Sequence, residues 1–204
     1  MTIASPALPR PTLVDRVVSR SLATDAALVV AGTALVAILA QVAIPLWPVP
    51  VTGQTLAVLL VGASLGAARG AASLSLYAVL GGLGLPIYSD AASGWTVLLG
   101  PTGGYILGFI ASAAIVGWAA ERQWDRGWYK PFVTFIGGSI VVFAIGLPWL
   151  AVSLGQLGLP NDLGAVLASG FVPFIIGGLI KAGIAAALMP LLWRMAEKRG
   201  RAAE

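Results

Sequence analysis

The chain has no cysteine and no histidine among its 204 residues. The lack of cysteine excludes disulfides, thiol nucleophiles, iron–sulfur clusters and cysteine zinc sites. The lack of histidine removes the commonest general base and metal ligand, and with it most hydrolytic and redox readings. Charge is scarce too. Asp, Glu, Lys and Arg make up 10% of the chain and apolar residues 58%, where a water-soluble domain carries roughly 25% and ~45–50%. With a mean hydropathy of +0.93, there is too little charge to coat a solvated surface. The composition is that of an integral membrane protein.

The few charges are placed unevenly. Between residues 26 and 120 only Arg69 and Asp90 are charged, and between 131 and 193 only Asp162 and Lys181. Such stretches belong in lipid, where a helical span needs ~20 apolar residues. Backbone there must be helical or closed into a barrel, and runs rich in Ala and Leu without strict alternation favour helices. The expectation is an all-α bundle of six spans, over 26–44, 55–68, 70–85, 102–120, 131–154 and 166–193. Arg10, Arg16, Arg20, Arg69, Arg122, Arg126, Lys130, Arg194, Lys198, Arg199 and Arg201 then fall on one side, and the loops 45–54, 86–101 and 155–164 carry no basic residue. The positive-inside rule puts both termini in the cytoplasm. The expected organisation is a tail over 1–22, a transmembrane domain over 23–195 and a basic tail over 196–204. Residues 13–22 fit an amphipathic interfacial helix or a plain tail. The C-terminal basic residues read as a topology anchor, because nucleic-acid binding needs a folded basic surface.

The outer loops are rich in Pro and Gly and also in Trp and Tyr. Irregular backbone at membrane depth is tolerated where protein or a watery cavity shields it. Tyr88, Ser89, Asp90 and Trp95 combine polar groups with a stacking face, as a small-molecule pocket requires. Trp47 fits either a cavity or an interfacial belt. At 100–105 the string Gly-Pro-Thr-Gly-Gly-Tyr opens a span, with Thr102, Gly103 and Tyr105 near exposed helix N–H groups. Glycines at 62, 66 and 70, and at 100, 104 and 108 followed by Ser112, form stripes of close helix approach; packing within the bundle is their expected use. Lys181 lies mid-span, where a charge is costly and marks a functional site. No acid stands on its helix face, since Gly177 and Gly178 occupy the positions four and three back. Either its counter-charge comes from Asp90, Asp162 or an anionic ligand, or the amine is neutral. A phosphate-binding loop is absent, so the chain has no energy source of its own. Gly62-Ala-Ser-Leu-Gly66 has the outline of a nucleophile elbow, but no histidine exists to activate Ser64. An enzyme is not expected.

Four strings carry a family resemblance: Pro48-Val-Pro-Val-Thr-Gly-Gln-Thr55, Gly84-Leu-Pro-Ile-Tyr88, Gly100-Pro-Thr-Gly-Gly-Tyr-Ile-Leu-Gly-Phe109 and Pro173-Phe-Ile-Ile-Gly-Gly-Leu-Ile-Lys181. The chain resembles BioY, the biotin-specific S component of energy-coupling factor (ECF) transporters. The resemblance implies biotin binding near the outer face of a bacterial cytoplasmic membrane. It also implies an EcfT-type membrane partner and two ABC ATPases, and no cofactor on this chain. For biotin, Asp90 or Ser89 would accept from the ureido N–H groups and Gln54 and Thr102 would donate to its carbonyl. Tyr88, Trp95 and Tyr105 would wall the rings, and Lys181 would pair with the carboxylate. The family docks on EcfT through small residues of the first span, here Ala23, Ala27 and Ala31. One departure stands out: relatives carry Pro-Gly-Asp before the lysine, where this chain has Ile176-Gly-Gly178. If that acid has a ligand role, Gly178→Asp should strengthen binding. The alternatives are another vitamin or small carboxylate on the same scaffold, or a stand-alone secondary transporter.

Overall fold

The computed structural model describes residues 12–127 and 129–202; residues 1–11 and 203–204 of the expected tails, Arg10 included, lie outside the described residues. The elements run α1 (Leu22–Ala40), β1 (Ala43–Ile44), β2 (Val51–Thr52), α2 (Gln54–Leu65), α3 (Ala67–Gly82), α4 (Trp95–Leu99), α5 (Gly103–Ala120), α6 (Tyr129–Gln156), α7 (Leu163–Gly170) and α8 (Val172–Ala202), with 3-10 turns at Val14–Arg16 and Ser89–Ala91. Among the described residues four helices, α1, α5, α6 and α8, are long and apolar enough to cross a membrane.

The expected spans over 102–120 and 131–154 match α5 and α6 closely. The other four need correction. The first helix starts a turn earlier than 26, because Ser21 Oγ accepts the Thr24 N–H at 3.1 Å and Asp25 falls in the favourable first turn. Its expected end, 43–44, instead pairs antiparallel with 51–52 in a two-rung ribbon. The expected spans over 55–68 and 70–85 are helices of only 12 and 16 residues, below the ~20 that cross a bilayer. They meet at a single residue, Gly66, with φ +86°. A Cβ there would fall 2.7 Å from Glu121 Oε1, and that oxygen accepts the Ala67 N–H at 2.9 Å, capping α3. The expected span over 166–193 is broken between α7 and α8, since Pro173 has no N–H with which to continue the α7 ladder. Within residues 13–22 a 3-10 turn covers Val14–Arg16 alone and Leu22 already opens α1, and α8 carries the chain on to Ala202.

Both glycine stripes pack inside the bundle, as expected. A Cβ on Gly62 would sit 2.7 Å from Ala113 O, one on Gly104 2.3 Å from the Trp149 side chain, and one on Gly108 3.0 Å from Val142 backbone. These approaches press α5 between α2 and α6. Helix α1 lies against α3 through Gly32 and Thr33, whose hydroxyl donates to Ser73 O at 2.9 Å. The buried face of α1 is Gly32, Thr33, Val36 and Ala40.

Candidate ligand-binding site

A cavity of about 210 Å³ opens at the end of the bundle away from Arg69 and Arg122. Two loops line it, 45–54 through Val49, Pro50 and Thr52, and 86–101 through Ser89, Asp90 and Val97. Gln54, Tyr88, Ser89, Asp90, Thr102, Tyr105 and Lys181 all reach the cavity. Trp95 and Gly103 do not. Trp95 opens α4 and is 56% exposed, its ring edge near Gly82. Gly103 is buried where a Cβ would collide with the Leu98 carbonyl, so it serves the turn into α5. Trp47 is 70% exposed and does not line the cavity.

A polar relay fixes one wall. Thr52 Oγ1 accepts the Gln54 N–H at 3.2 Å and donates to Gln54 Oε1 at 2.7 Å. Gln54 Nε2 donates to Tyr77 Oη at 2.6 Å, and Tyr77 donates onward to Ile87 O at 3.1 Å. This chain of bonds ties the first loop to α2, α3 and the second loop. It leaves Gln54 one free N–H. Thr102 gives its proton to Val97 O at 3.2 Å, so its hydroxyl faces the cavity as an acceptor rather than the expected donor.

The opposite wall is aromatic. Tyr105 donates to Gly170 O at 2.9 Å, stacks on Phe174 at 6.2 Å and meets Phe143 edge-on at 6.3 Å. Gly146 is required here, because a Cβ would press into the Tyr105 ring at 2.7 Å. Tyr88 is buried edge-to-face on Tyr77 at 5.3 Å and donates to Ala78 O at 2.6 Å. Phe109, Phe143 and Phe174 were missed by sequence reasoning. Inside apolar spans, a ring facing a cavity and one facing lipid have the same signature. Only the seven-residue, two-turn spacing of Phe174 and Lys181 along one helix face offered a clue.

Lys181 Nζ donates to Thr52 O and makes no ion pair among the described residues. Asp162 is no partner: it caps α7, accepting from Gly164 N at 2.9 Å and Ala165 N at 3.3 Å. Asp90 shares the cavity lining but is exposed on its loop. A Cβ added at Gly178 would meet nothing within 4 Å. The site therefore holds one cation within an otherwise largely apolar cavity.

The loop above the cavity is held in an unusual shape. Asp90 and Ala91 have φ of 57° and 54°, a region costly for residues other than glycine. Gln41, just after α1, clasps this loop. Its Nε2 donates to Tyr88 O at 3.0 Å and its Oε1 accepts from Ala91 N at 3.0 Å. On the same helix, Ala23, Ala27 and Ala31 are exposed on the face opposite Gly32 and Val36, so they do not pack inside the bundle.

The family model described as "BioY family" matches residues 11–198. The chain belongs to the BioY family. Among BioY relatives it is 35% identical to the biotin transporter BioY of Thermotoga maritima, over 82% of this chain and 94% of that one. It is 36% identical to the biotin transporter BioY of Rhizobium etli, over 69% and 76% of the two chains. Its fold is similar to the crystal structure of the S component for biotin from an ECF-type ABC transporter. That match has a TM-score of 0.72 at 24% identity and covers 84% of this chain and 92% of the other. The BioY relatives are transporters; the chain is a multi-pass membrane protein of that family and not an enzyme.

Proposed function

We propose that this BioY chain binds biotin in the cavity between Tyr88, Tyr105 and Lys181 and acts as the S component of an ECF importer. The observation that carries the reading is Lys181, an ammonium with no acidic partner among the described residues, in a cavity walled by aromatic rings. Biotin offers a carboxylate for that ammonium, an apolar chain for the Phe143 and Phe174 side, and a ureido ring needing both donors and acceptors. Asp90 and Ser89 accept from its N–H groups, and the free Gln54 N–H donates to its carbonyl. Trp95 and Gly103 have no contact role in this reading.

Six crossings with both termini in the cytoplasm remain the preferred topology, supported by the one-sided distribution of basic residues. Short α2 and α3 then cross a locally thin or protein-lined part of the membrane. Coupling requires an EcfT-type partner and two ABC ATPases, seated against the exposed Ala23, Ala27 and Ala31, where small side chains permit close helix approach.

Equilibrium titration of the detergent-purified protein with biotin, riboflavin and thiamine tests the ligand. Selective nanomolar biotin binding, about −12 kcal/mol, is expected, with its loss in Lys181→Ala. Absence of biotin binding by the unaltered protein removes the reading. Co-purification with an EcfT-type partner tests the docking face: Ala27→Trp should abolish the complex and spare biotin binding.

A further inference from the structure

Several hydroxyls along these helices return their proton to the carbonyl four residues back, while those of Ser112 and Thr134 are buried without a partner and line neither cavity. Ser73 bonds to Arg69 O, Ser139 to Phe135 O and Ser153 to Trp149 O. Thr55 has no such outlet. It is the second residue of α2, and the residue four back, Val51, lies in β2. Its Oγ1 is buried and has no hydrogen-bond partner.

The position of that hydroxyl is informative. Thr55 lines the main cavity together with Lys181. It also lines, again with Lys181 and with Gly178, an adjoining recess of about 20 Å³ against α6. That is room for about one water-sized group. Lys181 has three donor hydrogens and spends one on Thr52 O. An unpaired hydroxyl and a cation with spare donors therefore share one end of the cavity, at the positive end of the α2 dipole. A buried donor without a partner destabilises the protein that keeps it, unless something entering the cavity completes it.

We infer that Thr55 Oγ1 donates to the ligand's carboxylate beside Lys181, and that this pair fixes the direction in which the ligand lies. The acid end sits between α2 and α8, and the ring system sits under the Ser89–Ala91 loop. The inference rests on the biotin reading above and adds a specificity-determining residue to it.

The test uses the full-length protein in detergent, with Thr55→Val, which keeps the shape and loses the hydroxyl, and Thr55→Ser, which keeps the hydroxyl. Thr55→Val should leave the melting midpoint of the empty protein unchanged or raised, because no bond is lost there. Its biotin Kd should rise about tenfold, roughly 1.4 kcal/mol, and Thr55→Ser should restore binding. With biotin methyl ester the loss should shrink to about threefold or less, since a bond to a charged oxygen is about twice as strong as a neutral one. Unchanged biotin affinity in Thr55→Val overturns the inference. So does a fall in empty-state melting alongside the lost affinity, which marks a structural hydroxyl, and so does an equal loss on the ester. If Thr55→Val fails to fold, Thr55→Ala takes its place with the same expected pattern. Failure of the unaltered protein to bind biotin is a separate outcome, visible in the control titration; it removes the biotin reading and this inference with it.

Discussion

The charge cluster around Asp15 at one end of the bundle and the cavity at the other treat polar groups differently. At the basic end, Asp15 accepts from Thr12 N and Oγ1 at 2.9 and 2.8 Å, from Arg20 Nε and Nη2 at 2.9 and 2.7 Å, and from Arg69 Nη1 at 2.9 Å. Arg69 also reaches Asp25 at 2.8 Å. Burial alone would push the Asp15 carboxyl up, but the bonds from Arg20, Thr12 and Arg69 outweigh it and hold the group well below the usual carboxylate range. Arg69 stands in the first turn of α3, the wrong end of the dipole for a cation, and the two carboxylates offset this. At the cavity end, among the described residues, Lys181 has no ion-pair partner and Thr55 Oγ1 no hydrogen-bond partner. Asp125 Oδ1 and Arg126 Nε at the basic end are also buried without a hydrogen-bond partner, but they line neither the cavity nor its recess; Thr55 and Lys181 line both.

The contrast can be broken or sharpened experimentally. The largest effect is expected from Gly81→Ala, whose Cβ would lie 2.3 Å from ring carbons of Tyr88. Displacing that ring should weaken biotin binding by about 100-fold, near the upper end of overpacking costs, as read by titration. Arg69→Met should act at the other end only. It strips partners from Asp15 and Asp25 and should cost about 2 kcal/mol of stability, seen as a lower melting midpoint, with biotin affinity within about twofold of the parent. Acid should reproduce part of that loss. Because the folded Asp15 pKa is depressed, its contribution is complete above the unfolded value of about 3.9 and fades as pH falls below it. Melting midpoints followed from pH 7 to pH 3 should show an acid-side fall that Asp15→Asn reduces. The smallest effect is expected from Trp95→Ala, which lies off the cavity: about twofold or less on biotin affinity.

How much the sequence revealed depended on the kind of signal. Helices α5 and α6 were readable because uncharged length alone specifies a span. Lys181, Gln54 and Tyr88 were readable because polar and aromatic residues are conspicuous against an apolar background. The break at Phe171 was overlooked because Pro173 was read as part of a continuous apolar run. Asp25 was taken as a lipid boundary, and its pairing with Arg69 across 44 positions leaves no local trace. Trp95 was misplaced for a related reason: composition puts it in the right loop, but only the fold decides which way a ring turns. Thr55 escaped notice because it becomes unusual only once α2 is seen to begin one residue before it.

Helix α1 is a rod of 19 residues, about 28 Å long at ~1.5 Å per residue. Its exposed alanines lie toward one end, and Gln41 grips the loop at the other. That loop is a wound spring, since Asp90 and Ala91 rest in a backbone region they would not choose alone, and the clasp helps to keep it wound. A lever works by having its load and its handle far apart. Tilting α1 from the alanine end would pull on the Tyr88 carbonyl and the Ala91 amide before it disturbed the aromatic wall on α5, α6 and α8. The roof of the cavity would slacken while its floor stayed in place.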